Sequence, residues 1–519
     1  MATLQELLEL GYFPRELPPT FVTDAFANTI SSSTRLIPSA FSSNRLVAQS
    51  ANHSIARVGK LRRKLNIPNP ITHFRLCNEI ASSWSVISPY INISDFTISS
   101  PRSIHGSYRA LSPRLRYSVI PTLRSRYRMG LKYLLVTDID NFYHSLYTHS
   151  IPWAIHTKSV AKMNRSSNLL GNRLDTLVRI GQDKQTVGIP IGPDTSLLFA
   201  EIILQASDQN VLDEFGTLTG FRYLDDYEIC FSSLAEAEDC LRVIESALSH
   251  HELSLNPRKT RIISLPHALE DGWRTDLNQF EIRTTQRTQY NDLISYFSKA
   301  FDFSKRNPDS SILRYAIARL RSVRVEEYNW RLLQLLLLQC ATSEAGTLPY
   351  IFEQFIIYHG NEYSFARNLL EETINSLIKY HAPIGHGSEV AWSLWGAIAF
   401  SVPLHSESAN TVSEMDDSIV ALLALDAEQR GLFMTPLDKS NWSHYMTRES
   451  LYEGLWLLSY EANVKGWLPS VGHRDHVMTD PCFGYLKSNG VEFYNIQNGC
   501  PMELNAVLPL PGGSLSLDF

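Results

Sequence analysis

Residues 220–231 read GFRYLDDYEICF, and two adjacent carboxylates, Asp225 and Asp226, interrupt a run that otherwise alternates apolar and aromatic residues as a strand does. Like charges set side by side are costly to bury without neutralising cations, so the pair either faces water at a turn or holds metal. Aspartate is common in turns, and for an Asp-Asp pair taken alone the turn is the simpler reading. The segment as a whole is a candidate hairpin.

Upstream of it, TSLLFAEIILQASDQNVL (195–212) has helical periodicity after the breakers Gly192 and Pro193. Downstream, SLAEAEDCLRVIESALSHH reads as an amphipathic helix starting near Ser233, and LSLNPRKTRIISL returns to strand character. Residues 133–137 form a short continuous apolar run, as a central sheet strand would, ending at Asp138. Strand, helix, strand pair, helix, strand predicts an α+β layer in which a split βαβ sheet rests on helices. If the Asp138 strand neighbours the hairpin, three acid groups converge. Hard oxygen ligands of this kind suit Mg²⁺, and two such ions would activate a hydroxyl nucleophile and stabilise a departing pyrophosphate.

A chain of 519 residues with 44% hydrophobic content favours two or three domains. The opening MATLQELLELGYFPRELPP has acidic residues where a secretory leader would have basic ones, so a cytoplasmic location is expected. The longest greasy stretch, residues 332–338, falls short of the roughly 18 residues needed to cross a bilayer and reads as a buried helix. Six cysteines (Cys77, Cys230, Cys240, Cys340, Cys482, Cys500) lack CxxC spacing, which suits free thiols in a reducing compartment.

The net charge of −6 hides an asymmetry: residues 45–132 hold fifteen Lys or Arg against only Glu79 and Asp95, leaving the remainder near −19. Clustered cations suggest a segment that meets phosphates, with a solvated basic face as the bland alternative. Residues 1–44 read as an N-terminal arm, residues 45–285 as the α+β unit, and residues 286–519 as successive helices resembling an α-solenoid of HEAT type. Trp392, Trp395 and Trp456 fall at helical spacing there and read as core.

YLDD at 223–226 resembles the Tyr-X-Asp-Asp hairpin of reverse transcriptases, with Asp138 at the position of their first palm aspartate. GIPIGPDTS (188–196) is similar to that family's Gly/Pro loop before the palm helix, and LSLNPRKT (253–260) to its Leu-Asn-Pro-X-Lys-Thr segment. Together FPRELPPTF, NFYHSLYTHSIPWAIH, GIPIGPDTS and YEANVKGWL resemble the abortive-infection reverse transcriptases, the AbiK-like and prophage-encoded bacterial anti-phage group, over nearly the whole chain. The resemblance implies fingers and palm followed by an all-α, HEAT-like helical-repeat domain. It further implies a homo-oligomer that binds dNTPs and makes single-stranded DNA without a template, primed by a protein hydroxyl so that the product stays covalently attached. Two Mg²⁺ ions are the implied cofactors, with Mn²⁺ as an alternative.

On that resemblance Asp138 and Asp225 are metal ligands, Asp226 a weaker third, and the Ile139 carbonyl completes one ion's shell. Asp140 would point to the opposite face and is left out as a solvated carboxylate. Tyr143 stands where the family places a ring beneath the incoming sugar, which would favour deoxynucleotides; the alternative is a core tyrosine. Lys259 would protonate or neutralise the leaving pyrophosphate. Arg109 is a candidate triphosphate clamp, and Pro190 and Gly192 lie in the loop expected at the nucleotide. In that loop Ile191 occupies a position where template-copying relatives commonly carry Gln, and an aliphatic side chain cannot make that hydrogen bond. Tyr12 is a candidate primer, with packing beside Phe13 as the alternative. His473, His476 and Cys482 invite a zinc reading that fails for want of a fourth ligand, leaving surface histidines. The competing functions are a templated RNA-directed DNA polymerase and a catalytically silent nucleic-acid-binding scaffold.

Overall fold

The computed structural model describes residues 2–32, 37–43, 46–57, 61–104 and 106–499. Its strands, in chain order, are β1 (Ala51–Ala56), β2 (Arg62–Ile67), β3 (Pro101–Arg102), β4 (Ser112–Pro113), β5 (Tyr133–Asp138), β6 (Gly220–Tyr223), β7 (Asp226–Phe231) and β8 (Arg261–Ser264). The last four make one antiparallel sheet in the order β6-β7-β5-β8, so the apolar run at β5 is central, as expected of a strand flanked on both sides. The helix Asp194–Phe215 follows β5 and is buried along most of its length, from Asp194 to Val211, in keeping with its apolar residues on every face. The helix Leu234–Ser249 begins at a Ser233/Glu236 capping box and turns a stripe of Ala237, Cys240, Val243, Ile244 and Ala247 toward β5 and β7.

β1 and β2 form a separate hairpin with Ala51 opposite Ile67. It leans on the C-terminal helices: His53 Nδ1 lies 2.8 Å from Asp417 Oδ2, Ala56 N–H donates to Ser388 Oγ at 3.0 Å, and Arg62 pairs with Glu389.

The helical run begins at Gly272–Gln279, ahead of the boundary expected at residue 286, because that helix packs on Gln286–Arg306 and Ile312–Arg319. Alternate helices then touch: Gln286–Arg306 meets Glu327–Ser343, which meets Arg367–His381, while Ile312–Arg319, Leu348–Gly360, Gly387–Phe400, Ser418–Gln429 and Trp456–Val464 follow one another in a second row. The greasy stretch sits in Glu327–Ser343, where Leu333, Leu337 and Leu338 are buried but Leu335 is 46% exposed. Trp395 and Trp456 are buried and Trp392 is half-buried. No helix among the described residues is long and apolar enough to cross a membrane.

The N-terminal segment is packed rather than arm-like. Leu7, Leu8, Tyr12, Phe13, Phe21 and Phe26 join the main core, and the segment pairs with the far end of the chain. Val22 N–H donates to the Phe493 carbonyl at 3.0 Å, Asn495 N–H to Thr20 at 2.7 Å, and the Phe21 and Tyr494 rings stand edge to face. Five cysteines are buried free thiols; Cys500 lies outside the described residues.

Candidate active site

The register of β5 on β7 sets Asp138 directly opposite Asp226. The two ladders close at Leu224, which takes φ +53°, and the Ile139 N–H reaches across to the Asp225 carbonyl at 3.2 Å. The doubled charge therefore falls at the hairpin's turn and its first paired residue, as the turn reading of the Asp-Asp pair expects. Asp138 is 6% exposed, Asp225 half-buried and Asp226 exposed, so the acids line the end of the sheet at its surface.

Their electrostatics are those of a site short of positive charge. Burial, and then the charge of Asp138, push the Asp225 carboxyl up. Burial together with Asp225 and Asp138 pushes Asp226 up to about 7. Lys259 supplies the nearby cation: its ammonium donates to Asp138 Oδ2. Burial pulls that ammonium down, but the bond and charge of Asp138 outweigh it and hold Lys259 above its ordinary value. Crowded oxygen donors that repel one another are in kind a donor set suited to a hard divalent cation such as the expected Mg²⁺, although Asp138, Asp225 and Asp226 do not all bring an oxygen within 4.8 Å of one another.

A buried ionic knot behind the turn holds it in place, and sequence reading missed it. Arg222, fully buried, pairs with Glu201 and Asp208, themselves at most 1% exposed in their side chains. Arg222 Nη1 also donates to the Leu224 carbonyl at 2.8 Å, Leu224 N–H donates to Ser99 Oγ at 2.7 Å, and Ser99 Oγ donates to Glu201 Oε1 at 2.7 Å. The signal available in sequence was Glu201, an acid inside the apolar stretch LLFAEIIL.

The remaining expected residues divide. Tyr143 is half-buried, and burial followed by the charge of Asp225 raises its hydroxyl's pKa. Ile139 is buried next to them. Asp140 is exposed, and His473 is also exposed. His476, expected at the surface, is instead 5% exposed and held by Ser470 and Ser459, while Cys482 is buried.

Arg109 does not face a nucleotide. Its guanidinium donates to Asp194, to the Phe13 carbonyl at 2.8 Å and to the Gly192 carbonyl at 2.8 Å, which consumes its donors. Gly192, at φ +136°, leaves no room for a Cβ, which would meet Pro14 Cγ at 2.5 Å. The Pro190 carbonyl accepts from Ser196 Oγ, the Asn66 N–H of β2 donates to the Ile191 carbonyl at 2.9 Å, and the Ile191 N–H donates to Asn66 Oδ1 at 3.2 Å. The Gly/Pro loop thus serves as a joint between the N-terminal segment, β2 and the long helix. Tyr12 is fully buried, donates to the Pro68 carbonyl at 2.5 Å and stacks on His73 with centroids 4.2 Å apart, so its hydroxyl cannot reach the acids as a primer.

Folding also absorbs part of the basic segment's charge: Arg62, Arg109, Arg114, Arg124 and Arg128 all form ion pairs. Arg63 makes none among the described residues, and its charge acts on both Asp225 and Tyr143. It also lines a cleft of about 670 Å³ between the β1–β2 hairpin and the helical rows, together with Arg15, Arg57, Arg314, Arg321 and Trp392. A second cleft of about 670 Å³ continues it, sharing Arg57 and Arg314.

Residues 66–296 match the family model described as reverse transcriptase (RNA-dependent DNA polymerase), and this stretch has a reverse-transcriptase-type polymerase fold. No curated protein matches the chain. Among solved structures, telomerase from Candida albicans in complex with a TWJ fragment of telomeric RNA is similar at 11% identity over 68% of this chain and 66% of that one, with a TM-score of 0.30. Apo telomerase from Candida tropicalis is similar at 13% identity over 72% of this chain and 67% of that one, with the same TM-score. The chain spans about two thirds of the length of these telomerase chains.

Proposed function

We propose that this protein is an anti-phage DNA polymerase of the abortive-infection type, extending a protein hydroxyl with deoxynucleotides without copying a template. The observation that carries the polymerase reading is the Asp138–Asp226 cross-strand pair with Asp225 at the adjoining turn. Asp138, Asp225 and Asp226, with the Ile139 carbonyl, would hold the divalent cations. Bound Mg²⁺ would supply activation of the attacking hydroxyl and charge neutralisation at the phosphates. Lys259, kept protonated by Asp138, carries the proton and charge that the leaving pyrophosphate needs. Arg63 takes over the triphosphate-facing role expected of Arg109, and the Tyr143 ring lies under the sugar and excludes a 2′-hydroxyl. The arginine-lined cleft supports passage of a single strand, whose phosphates favour clustered cations.

The two alternating helix rows support the HEAT-like reading of the C-terminal region. The untemplated mode rests on Ile191, whose aliphatic side chain offers no hydrogen bond to a template base. A protein primer must be a hydroxyl other than Tyr12, presented to the acids by this chain or by a second copy in a homo-oligomer. One observation favours a second reading, a templated polymerase: the matching family model is that of RNA-dependent enzymes.

The test is incubation of the purified protein with each labelled dNTP and Mg²⁺, with and without added nucleic acid. Label retained on the polypeptide, of a sequence independent of added RNA and lost in Asp225→Ala, is the expected result. Product that tracks an added template assigns the second reading, and no incorporation under any condition overturns both.

A further inference from the structure

Where the helix Arg367–His381 ends and the helix Gly387–Phe400 begins, the chain turns sharply at Gly385, φ +68°. The turn brings His381, His386 and Glu389 together. Among the described residues this is the one group of three His, Cys, Asp or Glu whose ligand atoms all lie within 4.8 Å of one another, a spacing the palm acids, with Lys259 lodged on Asp138, do not reach. His381 Nδ1 lies 2.9 Å from His386 Nδ1, His386 Nδ1 lies 3.6 Å from Glu389 Oε1, and His381 Nδ1 lies 4.0 Å from the same oxygen. The point in their plane equidistant from all three is about 2.1 Å from each, close to a zinc–imidazole bond of about 2.0–2.1 Å, and a four-coordinate ion draws His381 and Glu389 closer by about 0.5 Å.

We propose that His381, His386 and Glu389 form a divalent transition-metal site of the zinc class, separate from the palm, with its fourth position open to the cleft they line. Two neutral imidazoles and one carboxylate are the donors such an ion takes. Without metal, one Nδ1 must carry the hydrogen shared across 2.9 Å. With metal, that hydrogen moves to Nε2 of the same ring and both Nδ1 lone pairs become ligands. Glu389, its side chain 3% exposed, is oriented by Arg62 and by Ser388 Oγ at 2.8 Å, the outer support that metal-binding carboxylates use. Arg62 Nη1 also reaches Oε1, and a carboxylate oxygen has a second lone pair for the ion. Because Arg62 lies on β2 and Ser388 Oγ accepts from Ala56 N–H of β1, the ion would lock the hairpin to the helical rows and fix the width of the cleft.

The experiment loads the full chain with zinc, removes free metal by desalting and counts zinc by mass spectrometry. About one zinc per chain is expected, retained in Asp225→Asn and bound about tenfold or more weakly in His381→Gln and in His386→Gln. Cobalt substitution should give the visible bands of a low-symmetry four-coordinate site in the parent chain and not in either histidine variant. Circular dichroism of the variants separates lost binding from lost folding, and His386→Gln, the more exposed substitution, guards against a variant that fails to fold. No retained zinc in the parent chain, zinc that survives in both folded histidine variants, or zinc that disappears with Asp225→Asn overturns the proposal.

Discussion

Asp138 is the residue whose loss should be felt in chemistry alone. Asp138→Asn removes a charge from the acid cluster and is expected to lower nucleotide incorporation by about 10²-fold or more, measured as label per chain, with the melting temperature little changed. Arg109→Ala should do the reverse. It strands Asp194, 5% exposed, without its partner, and breaking a buried ion pair costs about 3–5 kcal/mol, read by thermal or denaturant unfolding. The acids stood out in the sequence because Asp138 ends an apolar run and Asp225 and Asp226 interrupt an alternating one, both local signals. Arg109 and Tyr12 were not. An arginine's charge announces an anionic partner without saying whether that partner is a phosphate or Asp194, 85 residues away. A tyrosine near a terminus says nothing of His73 and Phe493 closing over its ring.

At the level of elements, the turn carrying Leu224 and Asp225 depends on groups from other segments. Ser99→Ala removes the acceptor of the Leu224 N–H and should cost about 1–3 kcal/mol. The same change should reduce kcat while leaving the KM for dNTP nearly unchanged, since the turn shifts and the nucleotide cations do not. The strands and the two palm helices could be read along the chain in advance, because apolar runs, breakers and the Ser233/Glu236 capping box are all encoded within a few residues, whereas the order of the strands in the sheet could not. The Arg222–Glu201–Asp208 knot could not, because its members come from a helix and a strand that meet only after folding. His381, His386 and Glu389 did fall within nine residues, and the spacing across a Gly/Pro turn was there to be noticed.

Across the whole molecule, the cleft and the paired chain ends set the behaviour. Arg57→Ala and Arg314→Ala should each weaken single-stranded DNA binding and lower the slope of log affinity against log salt by about 0.7. Glu461 governs a pH response. Burial pushes its carboxyl up to about 8, and one oxygen accepts the Phe493 N–H at 2.6 Å. A carboxyl raised in the folded state stabilises fully below its ordinary pKa of about 4 and loses that contribution as pH rises through about 8. Melting temperature should therefore fall between pH 5 and 8 by an amount equivalent to at most about 1.4 kcal/mol per pH unit, and Glu461→Gln should flatten the fall. Nothing local in sequence points to this coupling, since residues 1–44 read as an N-terminal arm with no hint that Phe493 and Tyr494 pack against it. In the fold, Gly11 accepts the Asp194 N–H at 2.8 Å on one side of that segment, while Phe493 and Tyr494 pack on the other. The strap has a consequence for biosynthesis. A growing polypeptide exposes its palm acids long before Phe493 leaves the ribosome, and until then the N-terminal segment lacks the pairing of Val22 with Phe493 and of Thr20 with Asn495. Chains truncated upstream of Phe493 should consequently melt at a lower temperature than the full chain, read by thermal unfolding.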